Sequence, residues 1–345
     1  MSVITIVGAG MMGSAMSVPA ADNGHEVRLV GTPLDGEIIK RLKEDGYHIT
    51  LKRNLPKSVT YYSVDELDRA LDGVELVIGG VSSFGVEWFG SEVLQKIPRG
   101  VPVLSITKGL YAEEDGTLVA FPDYLTRFEG GREHSFNAVG GPCISFEIAD
   151  RIHTFVAFCG HDMNVLKTLK EMLSTEYYHI NLTTDVMGLE TAVAMKNAYA
   201  LGVSLAIGMG EKERGEGCAE KYNPQAALFA QSVREMKRLL KLAGGNSDEI
   251  LYGAGDLYVT IYGGRTRRLG ILLGRGLTFP AAKEQLSGVT LESVAVTKAV
   301  IGAVMEQEKR GKAKLSDYPL LSHIYDMLIE KTTVNIPWKD FEEEK

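Results

Sequence analysis

The chain opens with Val3-Ile4-Thr5-Ile6-Val7, followed at once by Gly8-Ala9-Gly10-Met11-Met12-Gly13. A short run of strand-forming residues, glycines spaced G-x-G-x-x-G and a small-residue, helix-forming run together make the context of a dinucleotide-binding fingerprint. Gly8 allows the tight turn, Gly10 lets the backbone approach a pyrophosphate, and Gly13 lets the helix pack on the strand. The helix N-terminus offers N–H groups and a positive dipole end to phosphates. This stretch therefore predicts a nucleotide site, with an ordinary βα turn as the alternative.

Composition bounds the class of protein. The length of 345 residues predicts two domains, and the apolar fraction of 45% is ample for two packed cores. A net charge of −8 argues against a general nucleic-acid-binding surface. The longest apolar stretch, Thr191 to Met209, is interrupted by Lys196 and Asn197. We therefore expect a buried helix there and no integral membrane insertion.

Cysteine and histidine usage predicts neither disulfides nor a metal site. Cys143, Cys159 and Cys218 show no C-x-x-C spacing, and the seven histidines form no H-E-x-x-H or similar cluster. The fingerprint begins so early that we expect no signal peptide. These features together predict a protein of the reducing cytoplasm.

Strand and helix patterns alternate as far as about residue 182. Further strands are predicted at Glu26–Val30, Val59–Tyr62, Glu75–Gly80, Val101–Ile106, Phe136–Val139, Thr154–Phe158 and Tyr177–Asn181, with helices at 36–45, 64–71, 84–97 and 163–173. The alternation predicts a doubly wound α/β domain over residues 1–183. Small residues at the strand ends leave room for a ligand at that edge of the sheet.

From Asp185 onward the apolar residues recur at spacings of three and four. Helices are predicted at 185–208, 224–242, 281–309 and 320–330. The second domain, residues 184–345, is therefore expected to be mostly helical, and the fold class is α/β plus all-α.

Lys196 is the first candidate for catalysis, because it stands in an otherwise apolar helix. A lysine there is costly unless it is paired or its pKa is depressed, and a depressed lysine is a usable general acid. A side chain reaching out to solvent is the alternative. Lys108, in Thr107-Lys108-Gly109 at the end of a predicted strand, supplies a second ammonium where a ligand would lie.

A second candidate region follows in the helical half. Asp256 lies in Gly253-Ala254-Gly255-Asp256-Leu257, interpreted as a glycine turn, and Gly263-Gly264-Arg265-Thr266-Arg267-Arg268 comes soon after. Backbone N–H groups and a bidentate guanidinium suit an oxyanion, so this stretch predicts a phosphate site. A solvated basic turn is the alternative.

Taken in order, these motifs resemble the NAD(P)-dependent glycerol-3-phosphate dehydrogenases from Gly8 to about residue 330. The motifs that carry the resemblance are Gly8 to Gly13, Thr107-Lys108-Gly109, Gly141-Pro142, Glu190 through Lys196-Asn197, Gly255-Asp256-Leu257, Tyr262-Gly263-Gly264-Arg265, and Val289 through Glu292 to Val294. The resemblance implies a Rossmann domain, a helical domain and a site in the cleft between them. It also implies a homodimer, NAD(P) as cofactor, a small phosphorylated substrate and a place in glycerol-3-phosphate metabolism and phospholipid biosynthesis.

The same resemblance implies a role for each matching residue. Lys196 would donate a proton during reversible reduction of dihydroxyacetone phosphate, with Lys108, Asn197, Asp256 and Thr260 around the reacting oxygen. Other substrate contacts would come from Gly141, Cys143, Gly264, Arg265 and Thr266. Cofactor contacts would come from Gly8, Gly10, Met11, Met12, Gly13, Thr32, Lys108, Ser145, Arg265 and Glu292.

Several residues depart from the family pattern. Thr266 replaces the usual asparagine, Cys143-Ile144-Ser145 replaces Ser-Phe-Ala, Met11-Met12 fills the glycine turn, and Thr32 stands where bacterial relatives often carry arginine. The substrate could therefore be a related keto- or polyol-phosphate. A keto-acid or opine-type dehydrogenase and a non-catalytic nucleotide-binding regulator stay as alternatives.

The end of the second predicted strand bears on cofactor choice. Gly31, Thr32 and Pro33 are neutral, and Asp35 comes late. Neither an acceptor for a ribose hydroxyl nor a clamp for a 2′-phosphate is evident. We therefore expect both NADH and NADPH to be accepted, with at most a modest preference for NADH.

Overall fold

The structure, a computed structural model, describes residues 1–286 and 291–342. The strands are β1 (Val3–Val7), β2 (Glu26–Val30), β3 (Tyr47–His48), β4 (Arg53–Asn54), β5 (Thr60–Tyr62), β6 (Leu76–Gly79), β7 (Val103–Ser105), β8 (Leu110–Ala112), β9 (Leu118–Ala120), β10 (Phe136–Gly140), β11 (Thr154–Gly160) and β12 (Tyr178–Thr183). The first helices are α1 (Met11–Asp22), α2 (Gly36–Asp45), α3 (Leu67–Ala70), α4 (Val86–Trp88), α5 (Phe121–Leu125), α6 (Ser145–Ala149) and α7 (Met163–Leu173). They are followed by α8 (Val186–Ala194), α9 (Lys196–Arg214), α10 (Tyr222–Leu242), α11 (Ile250–Thr260), α12 (Gly264–Gly274), α13 (Phe279–Gln285), α14 (Glu292–Lys309) and α15 (Pro319–Leu328).

The chain divides into two compact units. One contains Met1–Lys108 and Ala120–Val186, and the other contains Gly109–Val119 and Met187–Lys345. The predicted single boundary between residues 183 and 184 does not include the segment Gly109–Val119, which belongs to the second unit. This segment belongs there because Leu110 and Leu118 of the β8–β9 hairpin are part of the hydrophobic core of the helical unit.

The first unit is built on an eight-stranded sheet in the order β12-β11-β10-β7-β6-β1-β2-β5. All neighbouring strands are parallel except β10 and β11, which run antiparallel. From β5 to β10 this is the strand order of a dinucleotide-binding sheet, with its reversal point between β1 and β6. The predicted doubly wound α/β domain is confirmed.

Apolar strands explain the core of this unit. Ile4 and Ile6 of β1, Leu76 and Ile78 of β6, and Leu104 of β7 are fully buried in one cluster. Buried parallel strands read as continuous apolar runs because helices cover both faces of the sheet. The prediction of one continuous α-helix over 84–97 is wrong. The segment contains a single α-helical turn at Val86–Trp88, which is flanked by 3₁₀ and π turns.

The second unit packs its helices around α9, which is buried from Ala198 to Gly208. Helices α9 and α12 approach each other closely, and this explains why both carry glycines where they meet. A Cβ on Gly208 would lie 2.0 Å from the Ile271 carbonyl oxygen, and one on Gly270 would lie 2.5 Å from the Leu201 carbonyl oxygen. This contact of backbones sets where the first turn of α12 lies relative to the first turn of α9.

Two helix predictions and one turn prediction in this unit are corrected. The predicted helix over 185–208 is divided at Met195 into α8 and α9. The predicted helix over 281–309 ends at Gln285 and begins again at Glu292; Val289 lies outside the described residues. Gly253–Leu257 is not a glycine turn, because Ile250–Thr260 forms helix α11, in which Gly253 allows contact with the Ala192 carbonyl.

The apolar stretch around Lys196 is a core element. Val186–Arg214 is long and apolar enough to cross a membrane by length and composition, but 83% of its apolar window is buried inside the structure. This is the behaviour expected of the central helix of a soluble protein, and no membrane insertion is indicated.

Candidate active site

The glycine turn lies where β1, β2 and β6 end together. The Gly8 N–H donates to the Val30 carbonyl at 2.8 Å, and the Gly80 N–H donates to the Val7 carbonyl at 2.7 Å. Gly8 has φ of +118°, and a Cβ there would lie 2.6 Å from the Gly80 backbone. A Cβ on Gly13 would lie 2.1 Å from the Gly8 carbonyl oxygen. These two glycines are therefore required by backbone packing alone.

Gly10 is different, because a Cβ there would meet nothing within 4 Å. It is the N-cap residue of α1 and makes no side-chain cap hydrogen bond, and the first turn of α1 carries no acidic side chain. The first N–H groups of a helix have no partner within that helix. The turn thus offers a space that a side chain would fill, beside donors suited to a pyrophosphate, and it fits a dinucleotide.

Asp35, which the sequence analysis set aside because it comes late after the second strand, lies against the glycine turn. Its Oδ2 accepts from the Ala9 N–H at 3.1 Å, the Thr32 N–H at 2.8 Å and the Thr32 hydroxyl at 2.8 Å. The loop after β2 therefore folds a carboxylate back against the glycine turn, which corrects the expectation that none lies there. Its distance along the chain, about 20 residues after the fingerprint, is the signal that could have revealed it.

His48 holds the same turn from the other side. It is fully buried, its Nε2 lies 2.9 Å from the Ala9 carbonyl oxygen, and its Nδ1 accepts the Leu51 N–H at 3.0 Å. These contacts assign the proton to Nε2. Burial lowers the pKa of His48, which keeps the ring neutral and able to hold Ala9.

Lys108 lies at the same sheet edge, just after β7. Its Nζ donates to the Gly141 carbonyl at 2.8 Å, while the hydroxyl of the neighbouring Thr107 donates to Val81 at 2.7 Å. Beyond Gly141, Cys143 lies with its Sγ 3.9 Å from the Met12 Sδ. Ser145 begins α6 and is 8% exposed. The structure thus brings Lys108, Gly141 and Cys143 to the edge that carries the glycine turn, as the strand ends predict.

In the helical unit, Lys196 forms an ion pair with Asp256. The Nζ–Oδ1 distance is 2.8 Å, and the side chains are 17% and 0% exposed. Lys196 is the first residue of α9, and Asp256 lies in α11. Of the two ways of accommodating an interior lysine, the structure shows pairing. The buried carboxylate of Asp256 therefore fixes the position of the Lys196 ammonium.

Two neighbours complete this cluster. The Asn197 amide donates to Glu292 Oε2 at 3.1 Å, which ties the first turn of α9 to the first turn of α14. The Thr260 hydroxyl donates to the Asp256 carbonyl at 2.6 Å, at the last residue of α11. We define the Lys196 cluster as Lys196, Asn197, Asp256, Thr260 and Glu292.

The arginine-rich stretch forms the N-terminus of α12. Gly263 precedes the helix, Gly264 has φ of +83°, and Arg265 is exposed in the first turn with Thr266 beside it. Arg267 already has partners within the protein, since it donates to the Ile261 carbonyl and pairs with Glu220, both at 2.7 Å. An exposed guanidinium at the positive end of a helix can bind a phosphate.

Comparison with known proteins covers both units. The family model described as NAD-dependent glycerol-3-phosphate dehydrogenase N-terminus matches residues 3–166, and that described as the C-terminus matches residues 185–338. An NADP(+)-dependent glycerol-3-phosphate dehydrogenase of Archaeoglobus fulgidus is 34% identical over 331 residues, which are 95% of each chain. Both the glycine turn and the Lys196 cluster lie within the matched residues.

Solved structures show the same fold. A glycerol-3-phosphate dehydrogenase of Coxiella burnetii has a TM-score of 0.81 at 23% identity, covering 99% of this chain and 97% of that chain. One of Plasmodium falciparum has a TM-score of 0.82 at 19% identity, covering 99% and 95%. At these identities the likeness concerns the fold, and the residue-level argument depends on the geometry above.

Proposed function

Because the chain belongs to the NAD-dependent glycerol-3-phosphate dehydrogenase family, it is an NAD(P)-dependent oxidoreductase, and we propose how its own residues carry the reaction. The reaction is reversible hydride transfer between NAD(P)H and dihydroxyacetone phosphate, giving sn-glycerol 3-phosphate. The observation that carries the proposal is the Lys196–Asp256 pair, a partly exposed ammonium held by a fully buried carboxylate.

Lys196 is the proton donor to the carbonyl oxygen. As the carbonyl is reduced, negative charge develops on its oxygen, and an ammonium fixed beside that oxygen stabilises the charge where it forms. The 17% exposure of the Lys196 side chain leaves it accessible, while Asp256 and the helix fix its position. Lys108 and Asn197 are proposed to contact the same oxygen or its neighbouring hydroxyl. In the reverse direction, neutral Lys196 takes the proton back.

The substrate phosphate is bound at the N-terminus of α12. Arg265 supplies a planar pair of donors, and the Thr266 hydroxyl and the backbone at Gly264 lie next to it in the chain. Gly141 and Cys143 are proposed as further substrate contacts because they lie at the sheet edge with Lys108.

Residues around the glycine turn hold the cofactor. Gly10 leaves room for the pyrophosphate, the first turn of α1 donates to it, and Thr32 and Asp35 face the end of β2. Ser145, Arg265 and Glu292 stay proposed cofactor contacts. When bound, the nicotinamide supplies or accepts the hydride.

An assay of NADH and NADPH oxidation with a panel of keto-phosphates and keto-acids tests the reaction. Dihydroxyacetone phosphate should be the best substrate, and Arg265→Lys should raise KM strongly for it while barely affecting the same ketone without its phosphate. Thr266→Asn should preserve or improve activity if dihydroxyacetone phosphate is the substrate. Equal losses for both ketones in Arg265→Lys would instead favour a keto-acid dehydrogenase.

We also propose a cytoplasmic homodimer. The support is the resemblance to the family. Sedimentation of the purified protein tests the dimer, and cell fractionation tests the compartment. A monomer at enzymatic concentrations would contradict the first statement.

A further inference from the structure

One buried histidine contacts the glycine turn although it is not among the groups that react. His48 belongs to the β3–β4 hairpin and is fully buried, as is Ala9, the residue between Gly8 and Gly10. Its Nε2 lies 2.9 Å from the Ala9 carbonyl oxygen. Because Nδ1 accepts the Leu51 N–H at 3.0 Å, the neutral ring carries its hydrogen on Nε2. His48 therefore donates to the backbone of the fingerprint itself.

The hairpin that carries His48 is held in place on both sides. Leu51 and Leu55 are 3% and 5% exposed and belong to the hydrophobic core of the sheet unit. Arg53 pairs with Asp150, directly after α6, through two hydrogen bonds of 2.6 and 2.8 Å. A side chain on a support of this kind has a defined position, so the imidazole meets the turn at one fixed place.

The contact fixes the direction of a peptide in the turn. A trans peptide is planar, and its C=O and N–H point in opposite directions. The Ala9 carbonyl is directed at His48, so the Gly10 N–H, which shares that peptide, is directed away from it. The preceding peptide is held too, because the Ala9 N–H donates to Asp35 at 3.1 Å. Within residues 1–286 and 291–342 no protein acceptor bonds the Gly10 N–H, which leaves it available to an anion.

We propose that His48 is a positioning residue for the cofactor, because its hold on the Ala9 carbonyl keeps the glycine turn in the conformation that binds the pyrophosphate. This inference rests on the proposal that the turn holds the cofactor. Without the imidazole, the buried Ala9 carbonyl would lose its donor, and rotation of the peptide toward another partner would be favoured. Such a rotation would redirect the Gly10 N–H and alter the space at Gly10. The binding conformation would then be less populated, which lowers the affinity for the cofactor.

Two substitutions separate the contacts of His48. A glutamine amide can replace the Nε2 donor to Ala9, whereas the shorter asparagine can replace only Nδ1, the acceptor for Leu51. Calorimetric titration with NADH should show binding about tenfold weaker or more in His48→Asn, and within about threefold of the wild type in His48→Gln. In steady-state assays, His48→Asn should raise KM for NADH more than it lowers kcat, because the Lys196 cluster is unaltered.

His134→Gln is the matched control. His134 is 9% exposed in the same unit, and its Nδ1 lies 3.0 Å from the Val101 carbonyl oxygen, but it precedes β10, at the strand ends opposite the glycine turn. Glutamine cannot replace Nδ1, so the melting temperature should fall while the affinity for NADH stays nearly unchanged. Equal weakening in His134→Gln would show that lost stability alone weakens binding, and would overturn the proposal. Weakening of His48→Gln to the level of His48→Asn would overturn it as well.

Gly10→Val distinguishes this inference from the proposed cofactor site. Titrations are made below the unfolding transition of each variant, and His48→Gln supplies the test if His48→Asn does not fold. Loss of NADH binding in Gly10→Val together with normal binding in His48→Asn would overturn the role of His48 alone. Normal binding in Gly10→Val would show that the cofactor lies elsewhere and would overturn both statements.

Discussion

Replacing Lys196 by methionine removes the ammonium and keeps most of the length of the side chain. If Lys196 is the proton donor, kcat should fall by about 10²–10⁴, the usual contribution of a general acid. That range corresponds to about 2.7–5.4 kcal/mol in the activation free energy. Cofactor affinity should stay near normal, because the glycine turn belongs to the other unit.

The same substitution should also destabilise the fold. Asp256 is fully buried, and its Oδ1 loses a cation that lies 2.8 Å away. Removing one partner of a buried ion pair costs about 3–5 kcal/mol. The Lys196 side chain is 17% exposed, so water can reach the position of the lost ammonium, and we expect a value at the lower end.

A double variant separates the two effects. Lys196→Met/Asp256→Asn removes the buried charge together with its partner, so the free energy of unfolding should recover relative to Lys196→Met. Activity should not recover, because no proton donor is restored. Denaturant unfolding and steady-state kinetics with dihydroxyacetone phosphate supply the two readouts.

Two results would refute this reasoning. A Lys196→Met enzyme that retains more than about a tenth of the wild-type kcat would remove Lys196 from the mechanism. Recovery of kcat together with stability in the double variant would show that the single variant lost only its structure.

The remaining predictions concern the cofactor turn and one buried acid. Gly10→Val should fold normally, because a Cβ there meets nothing within 4 Å, but calorimetry should show that it no longer binds the cofactor. Gly13→Ala should instead lower the melting temperature, because its Cβ would lie 2.1 Å from a carbonyl oxygen. The wild type should use NADH and NADPH with kcat/KM values within about a hundredfold, or about 2.7 kcal/mol. Asp35→Asn should raise the NADPH-to-NADH ratio of kcat/KM, because it removes a negative charge beside the end of β2, and an unchanged ratio would exclude Asp35 from cofactor choice. Burial raises the pKa of Glu235 from 4.5 to about 7. Between those pH values the carboxyl is ionised in the unfolded chain but stays protonated in the folded protein. The free energy of unfolding should therefore fall by about 3 kcal/mol as the pH is raised through this range. Glu235→Gln should abolish that part of the pH dependence of unfolding, and parallel curves for the two proteins would contradict it.

Local patterns were sufficient for much of the sheet unit. Val3–Val7, Glu26–Val30, Gly36–Asp45 and Met163–Leu173 have the bounds that the sequence predicts. Each is a short segment whose own apolar spacing and flanking residues decide between strand and helix. The fingerprint glycines belong to the same class, because the demands on Gly8 and Gly13 come from residues close in the chain or from the adjoining strand.

Helix interruptions were less predictable. The division at Met195 and the separation of α13 from α14 lie inside runs whose spacing is compatible with continuous helices. At Gly253 to Leu257 the error is the reverse: the glycines suggest a turn, but the segment is helical. In the structure, Gly253 instead lets α11 approach the Ala192 carbonyl. A single sequence shows the residue type and not the neighbour that requires it.

The sequence by itself determined the fold class and the glycine turn after β1, and it indicated the residues that we propose for proton transfer and phosphate binding. Tertiary structure alone decided which of them meet. Lys196 and Asp256 are 60 positions apart and form an ion pair only because α9 and α11 pack together, while the loop after β2 folds Asp35 back onto Ala9. The β8–β9 hairpin joins the helical unit because its leucines are buried there. Periodicity records which face of an element is buried, but partner choice depends on how whole elements pack, and no local pattern carries that information.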